Sequence, residues 1–221
     1  MSQLRVSLVQ SRLRWRDPAQ NRAHLGAQMD GVPEADLFVV PETFTTGFLG
    51  EKAETDEGMD GPTVAWMQEQ ARSRGAALCG SAVIRDDEGR RNRFLFATPE
   101  GRLETYDKRH LFSFAGEDRR YVAGEKRVIF EHRGWRVCPQ ICYDLRFPVW
   151  CRNRNDYDLL IFVANWPAPR INAWDTLLRA RAMENQCYVV AVNRVGEDGR
   201  GLAYPGHSAI YDPLGETVVA P

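Results

Sequence analysis

Val137-Cys138-Pro139-Gln140-Ile141-Cys142-Tyr143-Asp144-Leu145-Arg146-Phe147-Pro148 is an apolar run that stops at a cysteine and passes into a polar turn. Trp135 to Ile141 reads as a strand and Phe147 to Asn153 as a short helix. Cys142 therefore stands at a strand end with backbone N–H groups beside it. Two readings are open at this point. In one, Cys142 is a small buried apolar residue, as most free cysteines are. In the other, its sulfur faces solvent as a nucleophile.

Outward from this stretch, Asp158 to Asn165 is a second buried strand. The helix Asn172 to Gln186 then carries Trp174, Leu177, Leu178, Arg181 and Asn185 on one face, and Cys187 to Asn193 is the strand it feeds. The N-terminal half follows the same plan. Leu4 to Gln10 is a strand, Pro18 to Met29 a helix behind Asp17 as N-cap, and Asp36 to Glu42 a short apolar strand. Gly61-Pro62-Thr63 opens another helix to about Arg74, Ala76 to Ile84 is a strand, and Asp86 to Gly89 a turn. Phe94 to Thr98 and Arg102 to Tyr106 form a hairpin, Val128 to Phe130 a short strand, and Ser208 to Asp212 with Glu216 to Val219 a closing hairpin. Two β-α-β halves with added hairpins predict an α/β protein in which paired sheets are covered by helices. Between Asp107 and Glu125 no period persists, and a loop of that length inside a compact domain is more often functional than idle.

The 221 residues suffice for one large core, so a single domain over 1–221 is the expectation. Lys plus Arg number 29 against 30 for Asp plus Glu, a balance that offers no electrostatic case for nucleic acid or an anionic membrane surface. Arg85 to Arg91 and Glu117 to Arg120 read as solvated charged turns. Five cysteines without a compact pattern, and no cleavable leader, predict a reduced, cytoplasmic protein. The longest apolar run, Leu159 to Ala164, is too short to cross a bilayer. Cys138-x-x-x-Cys142 is not the spacing of a zinc pair, and no metal is expected. Cys79, Cys138, Cys151 and Cys187 read as packing.

A nucleophilic cysteine needs a base. His24 falls on a helix and His132 in a turn, both expected to be exposed; His110 and His207 fall in loops. No papain-like or caspase-like signature surrounds Cys142. A carboxylate serves equally if burial tunes it, and Glu42 lies at the mouth of a buried strand. Lys108, at another strand end, would stabilise a thiolate and an oxyanion. Singly, both read as ordinary surface residues. Together with Cys142 they put three complementary groups at strand ends, where α/β sheets place their sites.

Pro41-Glu42, Asp107-Lys108-Arg109-His110-Leu111-Phe112 and Gln140 to Pro148 resemble the three signature segments of the nitrilase superfamily of carbon–nitrogen hydrolases, in the family's order. The resemblance implies a four-layer α-β-β-α sandwich, a Glu42-Lys108-Cys142 triad, no metal or organic cofactor, and a homodimer or higher homo-oligomer. It also implies that Glu117 matches the family's second glutamate, which positions the lysine and the substrate amide. The family normally continues for some tens of residues past the position of Pro221. Pro41 to Phe48, Ala164 to Arg170 and Ala180 to Gln186 further resemble the omega-amidases, which hydrolyse the terminal amide of 2-oxoglutaramate and 2-oxosuccinamate. On this reading Glu42 is the base, while Lys108 and the Tyr143 backbone N–H hold the oxyanion. Phe44, Trp166 and Phe114 would wall the pocket and Arg170 pair with a substrate carboxylate, the aromatics having core packing as the alternative. Other readings are another branch of the superfamily, acting on carbamoyl groups, deaminated glutathione or nitriles, and a non-catalytic member that only binds.

Overall fold

Apolar side chains that alternate along neighbouring strands can face two partners at once, and this chain uses that alternation to build four layers. The computed structural model describes residues 3–32, 34–49 and 57–221. In chain order the elements are β1 (Val6–Leu8), α1 (Pro18–Asp30), β2 (Leu37–Val39), α2 (Pro62–Arg74), β3 (Ala77–Asp86), β4 (Gly89–Ala97) and β5 (Leu103–Asp107). There follow β6 (Phe130–His132), β7 (Trp135–Ile141), α3 (Pro148–Cys151), β8 (Leu159–Ala164), α4 (Ile171–Asn185) and β9 (Tyr188–Asn193). β10 (Val195–Glu197), β11 (Ala203–Pro205), β12 (Ala209–Tyr211) and β13 (Thr217–Val219) complete the chain.

One sheet has the order β1-β2-β3-β4-β5 and the other β13-β12-β9-β8-β7-β6. Within them β1, β2 and β3 run parallel, as do β7, β8 and β9, and the remaining strands pair antiparallel. Leu37, Val39, Phe94 and Phe96 of the first sheet meet Val137, Ile161, Val163 and Val192 of the second between the layers. Their alternate neighbours Phe38, Val40, Leu78 and Leu95 pack under Leu25 and Met29 of α1 and Met67 of α2. Leu160, Phe162, Val189 and Ala191 pack in the same way under Trp174, Leu178 and Ala182 of α4. The result is the α-β-β-α sandwich. Helix ends follow local chemistry: the Asp17 side chain accepts from the Gln20 N–H at 3.1 Å, and Gly75, at φ 61°, ends α2.

Three sequence expectations need correction. β6 lies two residues later than Val128–Phe130, because Arg133 and Gly134 both take positive φ and form the two-residue turn to β7, pairing His132 with Trp135. His132 is consequently buried, its ring edge-on to Phe96 with centroids 5.1 Å apart. The charged stretch from Arg85 to Arg91 is mostly hairpin rather than solvated turn, since β3 and β4 pair from Leu78↔Ala97 to Asp86↔Gly89. Their arginines find carboxylates across the strands, Arg91 to Asp86 at 2.7 Å and Arg93 to Asp107 at 2.6 Å. Finally, β10 and β11 form a hairpin that the sequence does not signal, because Gly196 and Pro205 blur any alternation.

Candidate active site

Glu42 lies three residues beyond β2, Lys108 directly after β5 and Cys142 directly after β7. The first two belong to one sheet and the third to the other, so the site forms where the two sheets' edges face each other. Both Thr43 and Cys142 hold positive φ, 41° and 46°, a costly conformation for residues with a Cβ. Each is over-determined by its surroundings. The Thr43 N–H donates to Ser81 Oγ at 2.9 Å, and Thr43 Oγ1 accepts from Asn165 Nδ2 at 2.9 Å. Cys142 begins a 3-10 run to Arg146 that is pinned by Asp144, whose carboxylate accepts from the Ile141 N–H at 3.1 Å and from Tyr106 Oη at 2.8 Å. The same carboxylate accepts from the His110 N–H at 3.0 Å, tying the nucleophile's turn to the segment that follows Lys108.

Lys108 Nζ donates to Glu42 Oε1 at 2.8 Å and to both Glu117 oxygens, at 3.1 and 2.9 Å. All three side chains are buried. Glu42 Oε2 accepts from the Asn165 N–H at 2.8 Å, and Asn165 Nδ2 donates to the Glu42 carbonyl at 2.8 Å. Glu117 Oε2 accepts from the Phe112 N–H at 2.6 Å, so the aperiodic loop folds back on itself to deliver its carboxylate. The loop's base is closed by the Gly124 N–H donating to the Lys108 carbonyl at 2.8 Å. A Cβ on Gly124 would stand 2.1 Å from the Asp107 carbonyl oxygen, which explains glycine there. Glu117 is thus buried within a stretch whose charges read as solvated.

Burial alone would push the Glu42 carboxyl up, but the Lys108 ammonium and the Asn165 N–H hold it below the usual glutamate range. Burial opposes the Lys108 charge too, yet Glu117 and Glu42 keep it ionised well above the usual lysine range. Burial, with repulsion from Glu42, pushes Glu117 up despite Lys108. Burial and then the Glu42 carboxylate push the Cys142 thiol well up, so Cys142 rests as a thiol beside an ionised carboxylate. Its Sγ lies 4.0 Å from the Asn165 carbonyl oxygen.

A cavity of about 100 Å³ opens onto Cys142 and Lys108 and is walled by Phe48, Phe112, Trp166 and Tyr204. Trp166 and Arg170 line it as expected from the sequence, the indole Nε1 donating to the Arg170 carbonyl at 2.7 Å. The Arg170 guanidinium lies 5.0 Å from the Phe112 ring centre. Phe44 does not reach the cavity: it is fully buried on the helix side, 5.7 Å from Trp66 between ring centres. The turn at Thr43 sends its side chain outward, and Phe48 takes the wall position instead. Phe114 is 85% exposed beyond Phe112 and is not a wall either.

Several site residues went unassigned in the sequence. Asn92 lies within β4, Asn165 directly follows β8, Asp144 lies two residues past Cys142, and Tyr204 and Arg200 come from the β10–β11 hairpin. Asn165 had a signal, the abrupt end of the apolar run Leu159–Ala164 that mirrors Val40-Pro41-Glu42. His110 is taken by Asp144, and His207 by Asp175 at 3.0 Å, so neither is the thiol's base. Among the described residues no group of three or more His, Cys, Asp or Glu is arranged to hold a metal ion. No helix among them is long and apolar enough to cross a membrane.

A thiol and a buried ammonium that open onto one cavity, with a buried carboxylate bound to that ammonium, are the groups acyl transfer chemistry needs. The carbon-nitrogen hydrolase family model matches residues 5–221, and the chain belongs to that family. It is 48% identical to the omega-amidase YafV of Escherichia coli K12, over 99% of this chain and 85% of that protein. It is 34% identical to a 2-oxoglutaramate amidase of Bacillus subtilis, over 96% of this chain and 84% of the relative. Its fold superimposes on XC1258 of Xanthomonas campestris, a CN-hydrolase superfamily protein solved with an arsenic adduct in its active site, with TM-score 0.98 and 54% identity over 100% of this chain and 87% of that one.

Proposed function

We propose that this protein hydrolyses the terminal carboxamide of a small 2-oxo acid amide, 2-oxoglutaramate or 2-oxosuccinamate, to the acid and ammonia through a thioester on Cys142. The observation that carries the reading is the Lys108 ammonium held between the buried carboxylates of Glu42 and Glu117, next to a protonated thiol. The similarity to the omega-amidase and to the 2-oxoglutaramate amidase supplies the substrate class.

In this mechanism Glu42 takes the Cys142 proton as the sulfur adds to the amide carbon, so that no free thiolate accumulates. The oxyanion is held by Lys108 and the Tyr143 backbone N–H. Collapse breaks the C–N bond, and the proton on Glu42 leaves with the amine as ammonia. Glu42 then draws a proton from water, which adds to the thioester; the acid departs and Cys142 regains its proton. Glu117 keeps Lys108 charged and placed. The cavity's apolar walls bind the short carbon chain, and Arg170 and Arg146 at its rim are available to a substrate carboxylate. Neither guanidinium has an acidic partner among the described residues. No organic cofactor enters any step. The protein works as a cytoplasmic homodimer or higher homo-oligomer, for which the exposed Val149 on α3 offers apolar surface.

Intact-mass spectrometry during turnover of 2-oxoglutaramate is expected to detect an acyl adduct on Cys142 that Cys142→Ala lacks. Ammonia release is expected from 2-oxo acid amides in preference to carbamoyl amino acids and nitriles. Near-normal ammonia release by Cys142→Ala would overturn the mechanism. For carboxylate recognition, Arg170→Ala should lose activity on the 2-oxo acid amide and keep it on an uncharged amide; equal loss on both would reject that role.

A further inference from the structure

Asn92 is a buried polar residue in the middle of β4, and its two ends are used very differently. Its Nδ2 donates to Glu42 Oε1 at 2.8 Å and to Glu117 Oε1 at 3.2 Å, bridging the two carboxylates. Its backbone carbonyl accepts from the Lys108 N–H at 2.9 Å. Its Oδ1 is buried without a hydrogen-bond partner among the described residues. Turning the amide over would aim that oxygen at two carboxylates, so electrostatics fixes the orientation in spite of the unpaired acceptor. Asn92 is absent from the cavity wall.

We propose that Asn92 is a positioning residue that acts as a second, neutral cross-link between Glu42 and Glu117. One ammonium faces two carboxylates in this cluster, and a second cation would quench the base that must accept a proton. An amide N–H₂ supplies two donors without adding charge. It favours the ionised form of both carboxylates, holds Glu42 Oε1 in place as its charge comes and goes, and leaves the Lys108 charge free to serve the oxyanion. Through its backbone it also fixes the start of the segment that carries Lys108. This inference rests on the reading of Glu42 as the base.

The test is the pH dependence of kcat/KM on 2-oxoglutaramate for Asn92→Leu, which keeps the shape and removes both donors, with thermal melting to establish that it folds. Loss of the donors raises the carboxylate pKa values, so the acid limb should move to higher pH by about one pH unit. At neutral pH kcat should fall by about tenfold or more, with KM within about twofold because the residue does not touch substrate. Asn92→Asp, also isosteric, should lose at least about a hundredfold near pH 7, where it adds a third carboxylate to the cluster. An unmoved acid limb in folded Asn92→Leu, or a raised KM at unchanged kcat, would overturn the proposal. Glu42→Gln run in parallel separates the two failures: if it turns over normally the reading of Glu42 falls, and if it is inactive while Asn92→Leu behaves as wild type only the role of Asn92 falls. Should Asn92→Leu not fold, the kcat and the neutral-to-acid profile of Asn92→Asp decide alone, and wild-type behaviour there overturns the proposal.

Discussion

Asp107 at the end of β5 and Lys108 directly after it anchor two sets of ion pairs, one on each face of the sheet, with nearly equal geometry and opposite purposes. On the outer face Arg93 meets Asp107 at 2.6 Å, with side chains 13% and 22% exposed; on the inner side Lys108 meets Glu42 at 2.8 Å, with side chains 1% and 0% exposed. The residues alternate along the chain, Arg91 and Arg93 flanking Asn92, and Asp107 preceding Lys108. The strand period of two therefore decides which charges keep partial access to water and which are sealed in. Distance does not distinguish the faces; dielectric does. At the surface water competes with each pair and little net stability results, whereas in the interior an ion deprived of its partner is costly and its proton affinity is tunable.

The largest effect is expected from breaking the inner set. Lys108→Met leaves two buried carboxylates without their cation and removes the proposed oxyanion donor. Turnover should fall by at least about a thousandfold. Stability should drop by about 3 kcal/mol, read from urea midpoints near pH 7. The stability loss should shrink on mild acidification, because one carboxylate can then neutralise itself by taking a proton. A variant as stable as the parent at every pH would show that the inner cluster is not sealed.

A smaller effect comes from exchanging the two cation types across the strands. Lys108→Arg replaces a compact ammonium, bound to three carboxylate oxygens, with a planar fork for which the closed cluster has no room; ammonia release should fall by at least about a hundredfold. Arg93→Lys loses forked contacts to Asp107 and Asp86 but keeps its charge. It should cost about 1 kcal/mol and leave kcat within about twofold. Comparable losses of kcat in both variants would mean that the faces are coupled.

The same alternation explains what the sequence made legible. Strands rich in one chemical type, such as Leu159–Ala164 and Trp135–Ile141, were readable because their burial is written in every residue. Glu42 and Cys142 stand just past such strands, whereas Lys108 follows the mixed strand Leu103–Asp107 and is marked by its place at a strand end. Asn92 was not, since it sits among arginines in a segment that looks solvated, and only pairing with β3 and β5 turns it inward. Phe44 misled for a related reason: an aromatic two residues past Glu42 looks like a wall until the positive φ of Thr43 redirects it toward α2. Glu117 and the β10–β11 hairpin depend on loop closure and on contacts distant in sequence, which no local period encodes.

The smallest effect isolates the outer face by pH. Burial pushes the Asp86 carboxyl up, but the hydrogen bond from Arg91, the Glu88 N–H and the charges of Arg91 and Arg93 outweigh it and hold the group below the usual aspartate value of 3.8. The folded value being the lower one, the contribution to stability is fully present above the unfolded value and is lost as pH falls through the folded one. Asp86→Asn should therefore cost about 0.5–1 kcal/mol near neutral pH. The two proteins should converge once the pH is low enough for Asp86 to be protonated in both states, as read from urea midpoints at several pH values. The Glu42, Asp36, Asp156 and Asp158 carboxyls are depressed too, and their share of the pH slope persists in Asp86→Asn. Because Asp86 lies on the far side of β4 from Asn92, kcat at neutral pH should stay within about twofold. A tenfold loss of kcat at unchanged stability would mean that the strand transmits charge across its faces and that the two sets of ion pairs are one.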